Sequence, residues 1–248
     1  MRFRSILILV CSILVWIGSL LAFPLLGTTE GFQLHDGEKI VFLGDSITQM
    51  GGQPEGYVSL FKLFCDVNGY EIEVINAGIG GHKSNDMLAR LEKDVLDHKP
   101  NWISISCGVN DVWHSFMPNH QGVDLSDYQK NMTEIVDRCL KSGAKVILLT
   151  ATPIMEKLDT PENLKLKDYN DFLRELAKEK KIILCDLNQE FQKWYKEKKN
   201  EENLMTIDGV HMNPRGNRVM ASEILKSLGA KDQELSGAQQ RWELINNP

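Results

Sequence analysis

The sequence predicts an α/β fold: a three-layer α/β/α sandwich on a parallel sheet of five strands. Three observations predict it. Five short apolar runs fall at residues 39–43, 73–76, 102–106, 145–150 and 182–186. Between consecutive runs lie segments of helical periodicity, at 57–68, 85–97, 127–142 and 164–180. Strands that alternate with helices pair in parallel through right-handed crossovers, which cover both faces of the sheet. The third observation is the end of the first run, where Gly44 is followed at once by Asp45 and Ser46. In a sheet covered on both faces only the carboxyl ends of the strands open to ligands, so Ser46 stands where chemistry belongs.

Length and composition agree with one domain. The chain has 248 residues and a formal net charge of -6, which disfavours nucleic acid or an anionic membrane surface as its main partner. Cys11, Cys65, Cys107, Cys139 and Cys185 are odd in number and form no C-x-x-C pair, so free thiols are expected.

Taken from the amino end, residues 1–27 stand apart from the fold. Arg2 and Arg4 precede an almost unbroken apolar run at 6–26. A signal-peptide core spans about 7–15 residues and a membrane span about 20, so this is an N-terminal signal peptide or signal anchor. Leu20 spoils the small-residue cleavage pattern before Ala22, and Cys11 lacks a lipoprotein context, which favours retention. The arginines stay in the cytoplasm, and the domain faces the exported side. Membrane contact is expected only through this segment. If it is cleaved, the product is periplasmic or secreted. Residues 28–38, with Thr28, Thr29, Gly31 and Gly37, read as a tether, and residues 229–248 as a polar C-terminal tail.

The second strand is followed by Asn76-Ala77-Gly78-Ile79-Gly80-Gly81-His82-Lys83-Ser84. A phosphate loop needs Gly-Lys-Ser contiguous, and His82 interrupts it. Lys83 occupies the third glycine position of a dinucleotide fingerprint. A tight turn or a backbone donor for an oxyanion remains. After the third strand comes Cys107-Gly108-Val109-Asn110-Asp111, where Asn110 either closes an Asx-turn or offers a neutral amide to developing charge. Upstream, Ser104-Ile105-Ser106-Cys107-Gly108 nearly matches a nucleophile elbow, but Ser104 replaces the first glycine and Ser106 is mid-strand.

Late in the chain lies Asp208-Gly209-Val210-His211-Met212-Asn213-Pro214. Its Asp and His are three residues apart, either a helix-entry turn or the orienter-and-base pair that activates a serine. Asn213-Pro214 is a cap followed by proline at the first helical position, which starts a last helix. His35 and His98 are isolated, and His114 and His120 lack i, i+4 spacing, so neither metal nor other cofactor is expected.

Four blocks in this order resemble the SGNH hydrolases, the GDSL esterase/lipase family. They are Gly44-Asp45-Ser46-Ile47-Thr48, Gly78, Gly108-Val109-Asn110-Asp111 and Asp208-Gly209-Val210-His211. The resemblance covers residues 39–228, essentially the whole exported domain. It implies a flavodoxin-like sheet of order 2-1-3-4-5 and a catalytic triad of Ser46, Asp208 and His211. It also implies an oxyanion hole made by Ser46, Gly78 and Asn110. The loops at 112–126 and 152–164 are expected to set specificity, with Trp113, His114 and Phe116 either lining the acyl or sugar pocket or packing structurally.

The expected function is an exported serine esterase that removes small acyl groups, acetyl first among them, from a small-molecule or glycan ester. A lysophospholipase or thioesterase of the same family is the alternative. A surface-anchored binding module without catalysis is a third reading, and the presence of both Ser46 and His211 argues against it. Sequence leaves the oligomeric state open.

Overall fold

A computed structural model describes residues 31–198 and 204–245. The N-terminal segment expected as signal peptide or anchor therefore lies outside the described residues. The sheet consists of β1 (Lys39–Gly44), β2 (Glu73–Gly78), β3 (Trp102–Ser106), β4 (Lys145–Leu149) and β5 (Ile183–Cys185), in the order β2-β1-β3-β4-β5. Every pairing is parallel. The chain leaves β1 for β2 on one side, then crosses back to lay β3 on the other. This reversal opens a crevice at the carboxyl end of β1, the usual ligand position in such sheets. Four of the six residues of β1 are buried apolar side chains, as a central strand covered on both faces requires.

Helices α1 (Ser46–Gly51), α2 (Tyr57–Asn68), α3 (Ser84–Asp94), α4 (Val109–Trp113), α5 (Leu125–Lys141), α6 (Pro161–Lys180), α7 (Leu187–Glu197), α8 (Pro214–Ser227) and α9 (Asp232–Ile245) surround the sheet. Two of them, α1 and α4, start immediately after β1 and β3. Neither is expected from the sequence, because five or six residues show no helical period. They matter for the site, since each places a chemistry-bearing residue in a helical first turn. The Asn213 side chain caps α8 by accepting the Gly216 N–H at 3.0 Å, with proline at the first position as expected. The free cysteines Cys65, Cys107, Cys139 and Cys185 are all buried.

Two boundary expectations are corrected. The stretch at 229–248 holds α9, which packs on α2 and α8 by burying Leu235, Ala238 and Trp242. These three share one helical face, and a mean polarity conceals such a stripe. At the other end, Phe32 and Leu34 are buried, and the Phe32 ring lies 4.8 Å from Tyr70 and 5.3 Å from Phe64. The Gln33 N–H donates to Leu228 O at 2.9 Å. Residues 31–38 are therefore integral to the domain rather than a tether.

Candidate active site

Ser46 is the first residue of α1. Asp45 caps that helix, its Oδ1 accepting the Ile47 N–H at 2.9 Å, and the Ser46 side chain projects at the β1 carboxyl end. Across the crevice, residues 206–212 close on themselves. Thr206 and Met212 form an antiparallel bridge, and the Ile207 N–H donates to His211 O at 2.9 Å. Inside this turn Asp208 Oδ1 accepts the backbone N–H of Val210 at 3.0 Å and of His211 at 2.8 Å. Its other oxygen lies 2.6 Å from His211 Nδ1, and His211 Nε2 lies 2.8 Å from Ser46 Oγ. Ser46, Asp208 and His211 are thus in one hydrogen-bonded line.

The protonation pattern follows from the partners. Partial burial would raise the Asp208 carboxyl, but the backbone and side-chain N–H donors of His211 outweigh it and hold it below the usual carboxylate range. An ionised carboxylate only accepts, so His211 Nδ1 carries the proton and Nε2 is left as an acceptor facing the Ser46 hydroxyl.

Asn110, in the first turn of α4, is buried and donates one amide hydrogen from Nδ2 to His82 O at 3.0 Å. That bond fixes the amide plane and leaves its second N–H unassigned. The next residue, Asp111, is fully buried and accepts the Ser84 N–H at 3.0 Å, which joins α4 to the start of α3.

The expectation for Gly78 is corrected. Its N–H donates to Asn76 Oδ1 at 2.8 Å and so is already taken. Glycine is required there for another reason: a Cβ would fall 2.1 Å from Gln49 N, because the α1 backbone rests on the end of β2. Sequence reasoning missed Gly81, three residues on. No hydrogen bond occupies its N–H among the described residues, and a Cβ built on neighbouring Gly80 would lie 3.8 Å from Ser46 Cβ. The signal was available in the second and third glycines of the run.

Arg90 was also missed. Its guanidinium donates to Gly44 O at 2.9 Å, Ala77 O at 2.8 Å and His82 Nδ1 at 3.0 Å, and so ties the ends of β1 and β2 to the glycine turn. Burial, then the Arg90 charge, lowers the His82 pKa. An arginine on an otherwise polar helix gave no sequence cue.

Trp113, His114 and Phe116 follow Asn110 on the same edge. Trp113 packs partly into the core. The His114 ring lies 6.3 Å from Trp113 and 5.0 Å from His120, and Phe116 is exposed with Lys165 Nζ 6.0 Å from its ring centre. None has a hydrogen bond or ring contact with Ser46 or His211. A polar depression of about 680 Å³, lined by Asn85, Gln121, Asp127 and Asn131 among others, lies beyond them. Lys83 Nζ donates to Gln121 O at 3.0 Å, which ties its rim to the glycine turn.

Asp45 carries a pH prediction. Burial, and then the neighbouring Asp111 charge, raise its carboxyl to about 6, against the lowering effect of the Ile47 N–H. A carboxyl with a higher pKa folded than unfolded binds more protons in the native state, so its contribution to stability falls as pH rises from about 4 through about 6. Asp45→Asn keeps the cap and removes the charge. Thermal melts should find the variant gaining on the parent by on the order of 2–3 kcal/mol at pH 8, with the gain vanishing near pH 4.

Comparison with known proteins gives the same picture. The sequence profile of the GDSL-like Lipase/Acylhydrolase family matches residues 42–219. An acetylxylan esterase of Geobacillus stearothermophilus is 29% identical over 213 residues, covering 79% of this chain and 96% of that protein. An uncharacterized lipoprotein of Bacillus subtilis, YqeF, is 28% identical, covering 81% of this chain and 93% of its own. Among solved structures, the acetyl xylan esterase AlAXEase superposes with a TM-score of 0.73 at 33% identity, covering 76% of this chain and 98% of that one. With the sheet order, the glycine turn and the Ser-Asp-His line all in place, the chain belongs to the GDSL-like lipase/acylhydrolase family of ester-hydrolysing serine enzymes.

Proposed function

We infer that the protein is an exported esterase that removes acetyl groups from carbohydrate-like esters, with Ser46 as nucleophile, His211 as general base and Asp208 as its orienter. The observation that carries the reading is the line of 2.6 Å and 2.8 Å contacts from Asp208 through His211 to Ser46 Oγ. His211 Nε2 takes the hydroxyl proton as Ser46 Oγ bonds to the ester carbonyl carbon. The resulting oxyanion meets the Ser46 N–H, the second amide hydrogen of Asn110 and, in place of Gly78, the unoccupied Gly81 N–H. His211 then gives its proton to the departing alcohol. In the second half His211 deprotonates a water that attacks the acyl-enzyme, and acid leaves with Ser46 restored.

The relatives support both triad and substrate. The Geobacillus enzyme is known as an acetylxylan esterase, and its solved structures include catalytic mutants at a serine, an aspartate and a histidine. The aspartate stands three residues before the histidine there, as Asp208 does here. The polar depression beside the glycine turn suits sugar hydroxyls. A second reading, lysophospholipase or thioesterase, is favoured by exposed apolar side chains on the same edge: Met50, Phe116, Met155 and Ile207.

A panel of acetylated xylo-oligosaccharides, p-nitrophenyl esters of graded length and lysophospholipids separates the two. Acetyl release from the glycans should exceed hydrolysis of long acyl chains, and a preference for long chains would reverse the assignment. Asn110→Ala should lower kcat by about 10²–10³, the usual loss for one oxyanion donor, with KM little changed. Export rests on the N-terminal sequence and on the lipoprotein relative. Fractionating cells and sequencing the mature amino terminus decides between anchor and cleaved signal.

A further inference from the structure

Glu156, in the loop between β4 and α6, faces the turn that carries Asp208 and His211. Glu156 spends its whole carboxylate there. Oε2 accepts the Leu204 N–H at 2.7 Å, while Oε1 accepts the N–H groups of Met205 and Thr206, both at 2.8 Å, and the Thr206 hydroxyl at 2.7 Å. Because a carboxylate only accepts, the Thr206 hydroxyl hydrogen is committed to Glu156. Its lone pair is thereby aimed at the Gly209 N–H, 3.1 Å away.

The peptide group on the other side of Gly209 is held from the same loop, since the Met155 N–H donates to Gly209 O at 2.7 Å. Met155 adopts a left-handed backbone (φ 58), and Gly209 has φ +93, so a side chain at 209 would be strained and would displace the Met155 thioether, 2.4 Å from its Cβ site. The loop is itself braced on α6. Asn163 accepts the Ile154 N–H at 2.9 Å and donates to Ile154 O at 2.5 Å and Lys157 O at 2.8 Å.

We propose that Glu156 is a positioning residue for catalysis, holding through Thr206 and Gly209 the turn that sets Asp208 and His211 against Ser46. The proposal rests on the catalytic reading above, since Glu156 touches none of the reacting groups. Gly209 directly follows Asp208, so loss of its anchors lets the carboxylate and imidazole drift from their 2.6 Å contact. A displacement of about 1 Å in such a constellation costs about a hundredfold in rate without altering substrate binding.

Full-length Glu156→Ala, Thr206→Val and the double variant, with the parent and Ser46→Ala alongside, test this by steady-state hydrolysis of p-nitrophenyl acetate and circular dichroism. Each single variant should lose about 10- to 100-fold in kcat with KM within about twofold of the parent. The double variant should lose no more than the worse single one, because both changes cut one chain of bonds. A folded Glu156→Ala with kcat within about twofold of the parent, or losses that multiply in the double variant, overturns the proposal. If Glu156→Ala does not fold, Glu156→Gln and Thr206→Val carry the same test, as each retains side-chain volume. Activity surviving in Ser46→Ala would defeat the catalytic reading and the proposal with it. Activity lost in Ser46→Ala but kept in folded Glu156→Ala defeats the positioning role alone.

Discussion

Ser46→Ala is expected to lower kcat for ester hydrolysis by on the order of 10⁵–10⁶, leaving only what oxyanion donors and binding supply. The size of the loss follows from the chemistry. Without Oγ there is no acyl-enzyme, and the single step left is attack by water that nothing but His211 positions. The fold should survive, because Ser46 is only half-buried and its side chain gives up one hydrogen bond, to His211. Ser106→Ala is the matched control. Ser106 ends β3 as a buried strand residue, and its replacement should leave kcat within a few-fold of the parent. Rates on p-nitrophenyl acetate, with circular dichroism on each variant, read both. Activity retained in Ser46→Ala and lost in Ser106→Ala would move the nucleophile to the near-elbow sequence in β3.

Asp208→Asn is expected to cost about 10⁴ in kcat with little change in fold, a loss typical of a wrong histidine tautomer. The local geometry dictates which way the new amide turns. Oδ1 already accepts two backbone N–H groups, from Val210 and His211, so the amide oxygen must stay there and the NH₂ group must face His211 Nδ1. A donor at that point forces Nδ1 to accept, and the ring proton moves to Nε2. Nε2 can then no longer take the hydroxyl proton of Ser46. Asp208→Ala should be comparably slow for a different reason, an imidazole that is unheld rather than wrongly protonated. The two variants are told apart by the Ser46–His211 hydrogen bond, retained in reversed sense in the first and lost in the second, which crystal structures of both would show.

Much of the fold was legible because its signals are local. Apolar runs of strand length, broken by helical periodicity, specify a parallel sheet whichever residues fill the loops. The capped start of α8 at Asn213-Pro214 was readable because capping involves residues only a few positions apart. Asp208 and His211 were readable as a pair for the same reason. The helices α1 and α4 were not, since each is too short to show a period. Neither was α9, whose three buried side chains, Leu235, Ala238 and Trp242, are outnumbered by polar neighbours until α2 is there to receive them.

By itself, then, the sequence determined the class of sheet, the strand end that carries Ser46, and the residue types that can perform acyl transfer. Tertiary structure alone decided which of those groups are free to act. The Gly78 N–H is lost to Asn76 Oδ1, the Asn110 amide is aimed by His82 O, and Thr206 at the start of the turn that carries Asp208 and His211 is bonded to Glu156, some fifty residues earlier in the chain. A residue type and its spacing are encoded along the chain. Whether an N–H or a carboxylate is already occupied depends on partners that only folding brings within hydrogen-bond distance, and at a catalytic site that occupancy separates a donor from a bystander.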